Sequence, residues 1–268
     1  MILRASLLVA IIAAAIAFGS GSATAEGVAP TVKHLKNTSP THVLFVGNSY
    51  LYYGDSVHNH VRRMAVAAGA VDAEAVKYKL ATISGSALYD HNIDSYILGD
   101  KLRVGKPFDV VILQGGSAVG WSKKRPAEFA ATVAEFSKKI TAAGGETALY
   151  MTQAYVPPHK RYDPDMTATL ARIYTEVGND TGALVIPVGL AFAEAYRQRP
   201  DLQLHKSFDG SHPDFIGTYL AAATVFASVY GQSPVGIDYD YFGKIDKDTA
   251  RFLQEVAQKT VTEYYGRE

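Results

Sequence analysis

Four short stretches of this chain hold groups that can work together in nucleophilic catalysis at a serine. Asp209-Gly210-Ser211-His212-Pro213 sets a carboxylate three residues before an imidazole. In a tight turn that carboxylate reaches one ring nitrogen and fixes the tautomer, leaving the other nitrogen to take a proton from a hydroxyl nucleophile. Pro213 suits the first turn of a helix, so the string predicts a helix starting there with His212 at its boundary. An Asp-Gly turn beside a surface histidine would read the same way. Gly47-Asn48-Ser49-Tyr50 places a serine just past an apolar run. A strand-to-helix turn at that point exposes the hydroxyl and aims backbone N–H groups at the same space. Ser84-Gly85-Ser86 and Gln114-Gly115-Gly116-Ser117 are two further polar turns of this kind.

These turns need a scaffold that brings them together. His42–Val46 and Phe108–Leu113 are continuous apolar runs, as in strands buried on both faces. Ala75–Ile83, Thr147–Thr152 and Ala183–Val188 add three more strands. Between and after them, helical spacing is expected at Val57–Ala68, from Pro126 to the Gly144-Gly145 stop, from Asp163-Pro164 through Val177, at Leu190–Arg197, from Pro213, and at Lys247–Tyr265. Strands alternating with helices imply right-handed crossovers and a mainly parallel sheet. The expectation is a three-layer α/β/α sandwich around five strands. In such sheets the chemistry sits in loops beyond the C-terminal strand ends, where Ser49, Gly85 and Gln114 fall.

Composition narrows the function. The 268 residues include 26 basic and 26 acidic side chains, 48% apolar residues and no cysteine. Disulfides, thiolate chemistry and lipidation at cysteine are excluded. A net charge of zero gives no field to attract nucleic acid or an anionic membrane. Arg4, the apolar run Ala5–Phe18 and Ala23-Thr24-Ala25 read as a signal peptide over residues 1–25. The run is shorter than the about 20 residues a spanning helix needs. An uncleaved N-terminal anchor is the alternative. Residues 26–40 read as a polar tether and 41–268 as a single domain. The expected location is a bacterial periplasm or the extracellular space, with no membrane insertion after cleavage. His58-x-His60 has a spacing usable for metal, but positions i and i+2 of a helix point apart, so neither metal nor cofactor is expected. Gly115-Gly116-Ser117 lacks the lysine and spacing of a phosphate-binding loop.

The order Gly47-Asn48-Ser49-Tyr50, Gly85, Gln114-Gly115-Gly116-Ser117 and Asp209-x-x-His212 resembles the SGNH (GDSL-type) hydrolases over residues 42 to 230, a superfamily with a flavodoxin-like sandwich. The resemblance implies Ser49 as nucleophile, His212 as general base and Asp209 as its orienting carboxylate. The N–H groups of Ser49 and Gly85 would form part of the oxyanion hole. Two positions depart from the pattern. Asn48 stands where the family carries Asp, and no Asn follows Gly116 to donate to the oxyanion. The third turn is instead similar to the Q-G-E-S turn of sialate and xylan acetylesterases, which implies Gln114 as the replacement donor. LFVGNSY and LQGGS also resemble a branch of the superfamily with no assigned function.

What this implies is an exported serine esterase acting on small acyl groups, acetyl above all, on a carbohydrate. Asn48, Tyr52, Trp121 and Tyr155 are the expected substrate contacts, since aromatic faces stack on sugars or cover an acyl chain. Tyr53, Tyr89 and the cationic His159-Lys160-Arg161 stretch stand near the same loops. A lipase or thioesterase with an apolar trough is the nearest alternative. A weakly active polysaccharide-binding protein with this fold is another.

Overall fold

The computed structural model describes residues 27–267, so the signal-peptide reading of residues 1–25 lies outside it. Strands β1 (His42–Gly47), β2 (Lys77–Thr82), β3 (Val110–Leu113), β4 (Glu146–Tyr150) and β5 (Leu184–Ile186) form one fully parallel sheet in the order β2-β1-β3-β4-β5. The helices are α1 (Ser49–Tyr52), α2 (Val57–Ala67), α3 (Arg125–Ala142), α4 (Met166–Thr181), α5 (Val188–Gln198), α6 (Phe215–Tyr230) and α7 (Lys247–Tyr265). One sheet face packs against α2, α5, α6 and α7, through Phe45, Ile112, Tyr150, Phe192, Phe226 and Leu253. The other packs against α3 and α4, through Val46, Leu113, Leu149, Val133, Phe136 and Leu170. This is the expected three-layer sandwich.

Strand character follows burial. β1 after its first residue, all of β3 and β5, and β4 after Glu146 are enclosed on both faces, which accounts for their unbroken apolar sequence. β2 is an edge strand of which only Tyr78 is buried. It is shorter than the expected Ala75–Ile83 because it pairs with β1 alone, from His42↔Lys77 to Gly47↔Thr82. β5 likewise shrinks to three residues. α6 is buried from Gly217 to Tyr230 on all sides, as befits a helix apolar all round its circumference.

The crossover from β2 to β3, where the sequence marks no helix, carries only single 3₁₀ turns at Leu88–Asp90 and Ile93–Ser95, among buried Leu88, Ile93 and Ile97. Two local expectations are corrected. α4 starts at Met166 rather than at Asp163-Pro164. The Asp163 carboxylate caps the preceding turn instead, accepting the Asp165 N–H at 2.9 Å. Pro213 does not begin α6. It forms an isolated antiparallel bridge with His205, and the helix opens at Phe215, whose N–H is accepted at 2.7 Å by the Asp214 carboxylate. Asp214 is the better N-cap, and a proline lacking an N–H is at home on a bridge edge.

The segment read as a tether is laid along the domain. Asn179 Oδ1 accepts the Thr31 N–H at 2.8 Å, and the Glu146 carboxylate accepts the N–H groups of Lys36 and Asn37 at 2.8 and 2.9 Å. Among the described residues no helix is long and apolar enough to cross a membrane.

Candidate functional site

Strand register decides where the polar turns emerge. Gly47 lies opposite Thr82, and Val46 opposite Leu113, so β1, β2 and β3 end nearly level. The turns at Asn48–Ser49, Ile83–Ser86 and Gln114–Ser117 therefore leave the sheet side by side at its C-terminal edge. β1 lies between the other two, which makes Ser49 central.

Ser49 is the first residue of the short helix α1, with Asn48 as its N-cap. An N-terminal helical N–H has no acceptor within its own helix, so the Ser49 N–H is available to a ligand. The Ser49 hydroxyl lies 2.8 Å from His212 Nε2. His212 Nδ1 lies 2.6 Å from Asp209 Oδ2, and Asp209 Oδ1 accepts the N–H groups of Ser211 and His212 at 2.8 and 3.1 Å. Burial opposes ionisation of Asp209, but the His212 ring and these two amides outweigh it and hold the carboxyl below its usual range. An ionised Asp209 fixes the proton on Nδ1 and leaves Nε2 as the acceptor facing Ser49.

Aromatic rings bracket this imidazole. Tyr53 is stacked on it at 4.3 Å between centroids and 20° between planes, and Tyr50 stands at 5.4 Å. The Tyr50 phenol is hydrogen-bonded to Ser211 Oγ at 2.6 Å, which ties α1 to the histidine turn. Tyr52 is half-buried, with its hydroxyl donating to Ser84 Oγ at 3.1 Å.

The turns are cross-braced. Asn48 is buried, with Nδ2 donating to Ser86 O at 2.9 Å and Oδ1 accepting the Tyr50 N–H at 3.2 Å. A carboxylate could not make the first of these bonds, which gives a local physical reason for Asn at this position. Gly116 has φ +78°, and a Cβ on it would stand 3.1 Å from Asn48 Nδ2. Gly85 sits exposed at φ +70° in the turn closed by Ser86 N–H to Ile83 O at 3.2 Å. Gln114 is 1% exposed, and its Oε1 accepts the Asn48 N–H at 2.9 Å. Its Nε2 is buried and has no partner within the described residues.

Trp121 is exposed. Its indole N–H donates to the Tyr155 hydroxyl at 3.3 Å, which donates in turn to Ser117 Oγ at 2.7 Å. Tyr155 itself is buried. Tyr89 stands apart, its ring 5.1 Å from the Arg125 guanidinium. His60 has both nitrogens engaged, Nε2 with Gly54 O and Nδ1 with the Tyr239 hydroxyl. Among the described residues no group of three His, Asp or Glu side chains is placed to hold a metal.

Two contributors escape sequence reasoning. His91 Nε2 donates to Gly47 O at 2.9 Å and stands 3.3 Å from Ser86 Oγ, bracing the first two turns. Gln153 is fully buried and donates to Ser211 O at 3.3 Å. Neither occurs in a spacing that marks it.

No protein-family model matches the chain, and no curated protein is similar to it in sequence. Solved structures do match. A DUF4886 family protein from Bacteroides uniformis is similar with a TM-score of 0.67 and 18% identity, over 84% of this chain and 96% of that one. A candidate SGNH hydrolase from Slackia heliotrinireducens gives 0.56 and 22%, over 69% of this chain and 97% of the other. The acetyl xylan esterase AlAXEase gives 0.53 and 20%, over 70% and 98%. At these identities the likeness is one of fold, the three-layer sandwich of SGNH-like hydrolases.

Proposed function

We propose that this chain is an exported serine esterase that removes small acyl groups, acetyl above all, from a carbohydrate. The observation that carries the reading is the hydrogen-bonded line from Ser49 Oγ through His212 to Asp209, at 2.8 and 2.6 Å. The fold shared with SGNH-like hydrolases and the family-like order of the four turns support it.

In this reading His212 Nε2 takes the Ser49 proton as Oγ attacks the ester carbonyl. The carbonyl oxygen becomes an oxyanion in the tetrahedral intermediate, met by the Ser49 N–H, the Gly85 N–H and the Gln114 amide. His212 then gives its proton to the departing alcohol, leaving Ser49 acylated. Water, deprotonated by the same nitrogen, attacks the acyl carbon, and the proton returns to Ser49 as the acid leaves. Asp209 holds the ring in one tautomer and stabilises the imidazolium. Asn48, with both ends of its amide in internal bonds, acts by positioning the nucleophile turn rather than by touching substrate. Tyr52 and the exposed Trp121 are the substrate contacts in this reading, and buried Tyr155 supports Trp121 through its hydroxyl.

A cavity of about 200 Å³ lined by Tyr155, Tyr162, Phe192 and Tyr196 lies apart from Ser49 and His212, and the preference for a short acyl group rests on the acetylesterase-like third turn. A fluorophosphonate probe should label the native protein and not Ser49→Ala. An unlabelled native protein overturns the esterase reading. Faster turnover of 4-nitrophenyl octanoate than of the acetate would favour a lipase or thioesterase. Binding of acetylated xylan without release of acetate would favour the carbohydrate-binding alternative.

A further inference from the structure

Three consecutive residues behind the candidate site, Gly54, Asp55 and Ser56, hold left-handed backbone, at φ 59°, 70° and 67°. Glycine takes this region freely, and a Cβ at Gly54 would run into Thr218 Oγ1. Asp55 and Ser56 carry side chains, so their backbone is strained and persists only where the surroundings over-determine it. The turn leads directly out of Tyr53. That ring is stacked with Tyr52 at 5.6 Å and 20°, and with the His212 imidazole at 4.3 Å and 20°.

The surroundings that hold this turn come from the segment joining α6 to α7. The Tyr241 hydroxyl donates to the Asp55 carboxylate at 2.6 Å, across 186 positions of chain. Gly54 O accepts His60 Nε2–H at 2.8 Å, which leaves His60 Nδ1 to accept the Tyr239 hydroxyl at 2.9 Å. Burial holds the His60 ring below its ordinary 6.5, in keeping with the neutral tautomer that both bonds require. Tyr239 is fixed in turn, its carbonyl accepting the Tyr219 hydroxyl of α6 at 2.6 Å. Tyr241 and Phe242 themselves stand at φ 56° and 60°, so strained backbone is clasped to strained backbone.

We infer that Asp55 and Tyr241 are positioning residues: the α6–α7 segment is a strap that clamps the 54–56 turn and so keeps the Tyr53 ring against His212. A ring face in that place attracts the imidazolium formed when His212 takes a proton. This catalytic consequence rests on the esterase reading; the strap itself does not.

Two measurements test the strap, one of them without turnover. A ring stacked at 4.3 Å shields the ring C–H protons of His212, whose NMR signals are assigned by their absence in His212→Asn. Tyr241→Phe removes one hydroxyl. Asp55→Gly removes the carboxylate and suits left-handed backbone, and Asp55 is exposed, so no core is disturbed. Both should move the His212 signals toward their positions in Tyr53→Ala. Asp55→Asn, which keeps an acceptor and tolerates this backbone, should hold them near native. With 4-nitrophenyl acetate, Tyr241→Phe and Asp55→Gly should each lower kcat about 2- to 10-fold with KM nearly unchanged. Neither should lower kcat further when Tyr53 is already Ala, since each acts through that ring. Circular dichroism and Tm check that every variant is folded. Native His212 signals in folded Tyr241→Phe and Asp55→Gly, or losses in kcat that add to that of Tyr53→Ala, overturn the strap. Failure of the fluorophosphonate probe at Ser49, with the His212 signals still following Tyr241 and Asp55, removes the esterase reading and leaves the strap standing.

Discussion

Replacing Gln114 by Ala separates two roles that one side chain combines. Its Oε1 holds the Asn48 N–H at 2.9 Å, immediately before Ser49. Its Nε2 is buried without a partner in the described residues. The carboxamide has little freedom to move, since a Cβ on Gly47 would overlap Oε1 and crowd the Gln114 Cβ at 2.9 Å. Truncation strands the Asn48 N–H in a buried place, which costs about 1–3 kcal/mol. For a domain of this size that corresponds to a fall in Tm of roughly 2–12 °C. If Nε2 also meets the oxyanion, kcat should fall about 100- to 1,000-fold with KM nearly unchanged, because the bond strengthens only in the transition state. Gln114→Glu keeps an acceptor for Asn48 and loses the donor, so its kcat should fall at least as far. The assays are steady-state hydrolysis of 4-nitrophenyl acetate and thermal unfolding of the same preparations. A lowered Tm with near-native kcat in Gln114→Ala would refute the catalytic role and leave backbone groups as the donors.

Asp209→Asn should lower kcat by about 10⁴, the scale set by the loss of the correct tautomer in a Ser-His-Asp site. Because the Asp209 carboxyl is held below its ordinary value of 3.8, its ionised form contributes stability above that pH and loses it as the pH falls through the folded value. The Asn variant should therefore unfold at lower urea than native protein at pH 7, and the gap should close below about pH 4. Tyr53→Ala should lower kcat about 3- to 30-fold by removing the ring face from the protonated His212, whereas Tyr53→Phe should stay close to native. An alanine variant with full activity removes that contribution. Burial holds His58 and His205 at about 4 against an ordinary 6.5, so their neutral forms favour folding above pH 6.5. Stability should drop as the pH falls from 6.5 to about 4, and His205→Gln should flatten that slope in urea titrations.

Much of the scaffold was legible because each layer leaves a mark in the chain. Buried strands are apolar without interruption, and α7 runs over Lys247–Tyr265, the span its spacing predicts. The meeting of Ser49, His212 and Asp209 was also legible, since a serine just past an apolar strand and a carboxylate three residues before an imidazole are local patterns. Illegible parts depend on contacts between distant segments. Asp214 outcompetes Pro213 for the helix start because residues 204–206 fold back against 212–214, with Lys206 N–H on His212 O and Asp214 N–H on Leu204 O, both at 2.8 Å. His91 and Gln153 carry no periodic or motif signature; only the folded chain brings them to Gly47 O and Ser211 O. The many tyrosines find their purpose in the same way, several spanning the interior to reach backbone oxygens, as Tyr219 does to Tyr239 O and Tyr265 to Val185 O.

Ser49 and His212 stand 163 positions apart along the polypeptide, yet touch. Closing so long a loop costs entropy that no local structure near either residue repays, so the contact belongs among the late events of folding. In the esterase proposed above, a chain emerging from the ribosome carries Ser49 long before it carries His212. Hydrolytic competence would therefore arrive with completion of the domain, and partly made or clipped chains would be chemically silent. Turnover of a simple ester then doubles as an assay of whether the two ends of the domain have met. In refolding experiments, recovery of activity should lag the recovery of helical signal by the time taken to seat α6 and the turn before it.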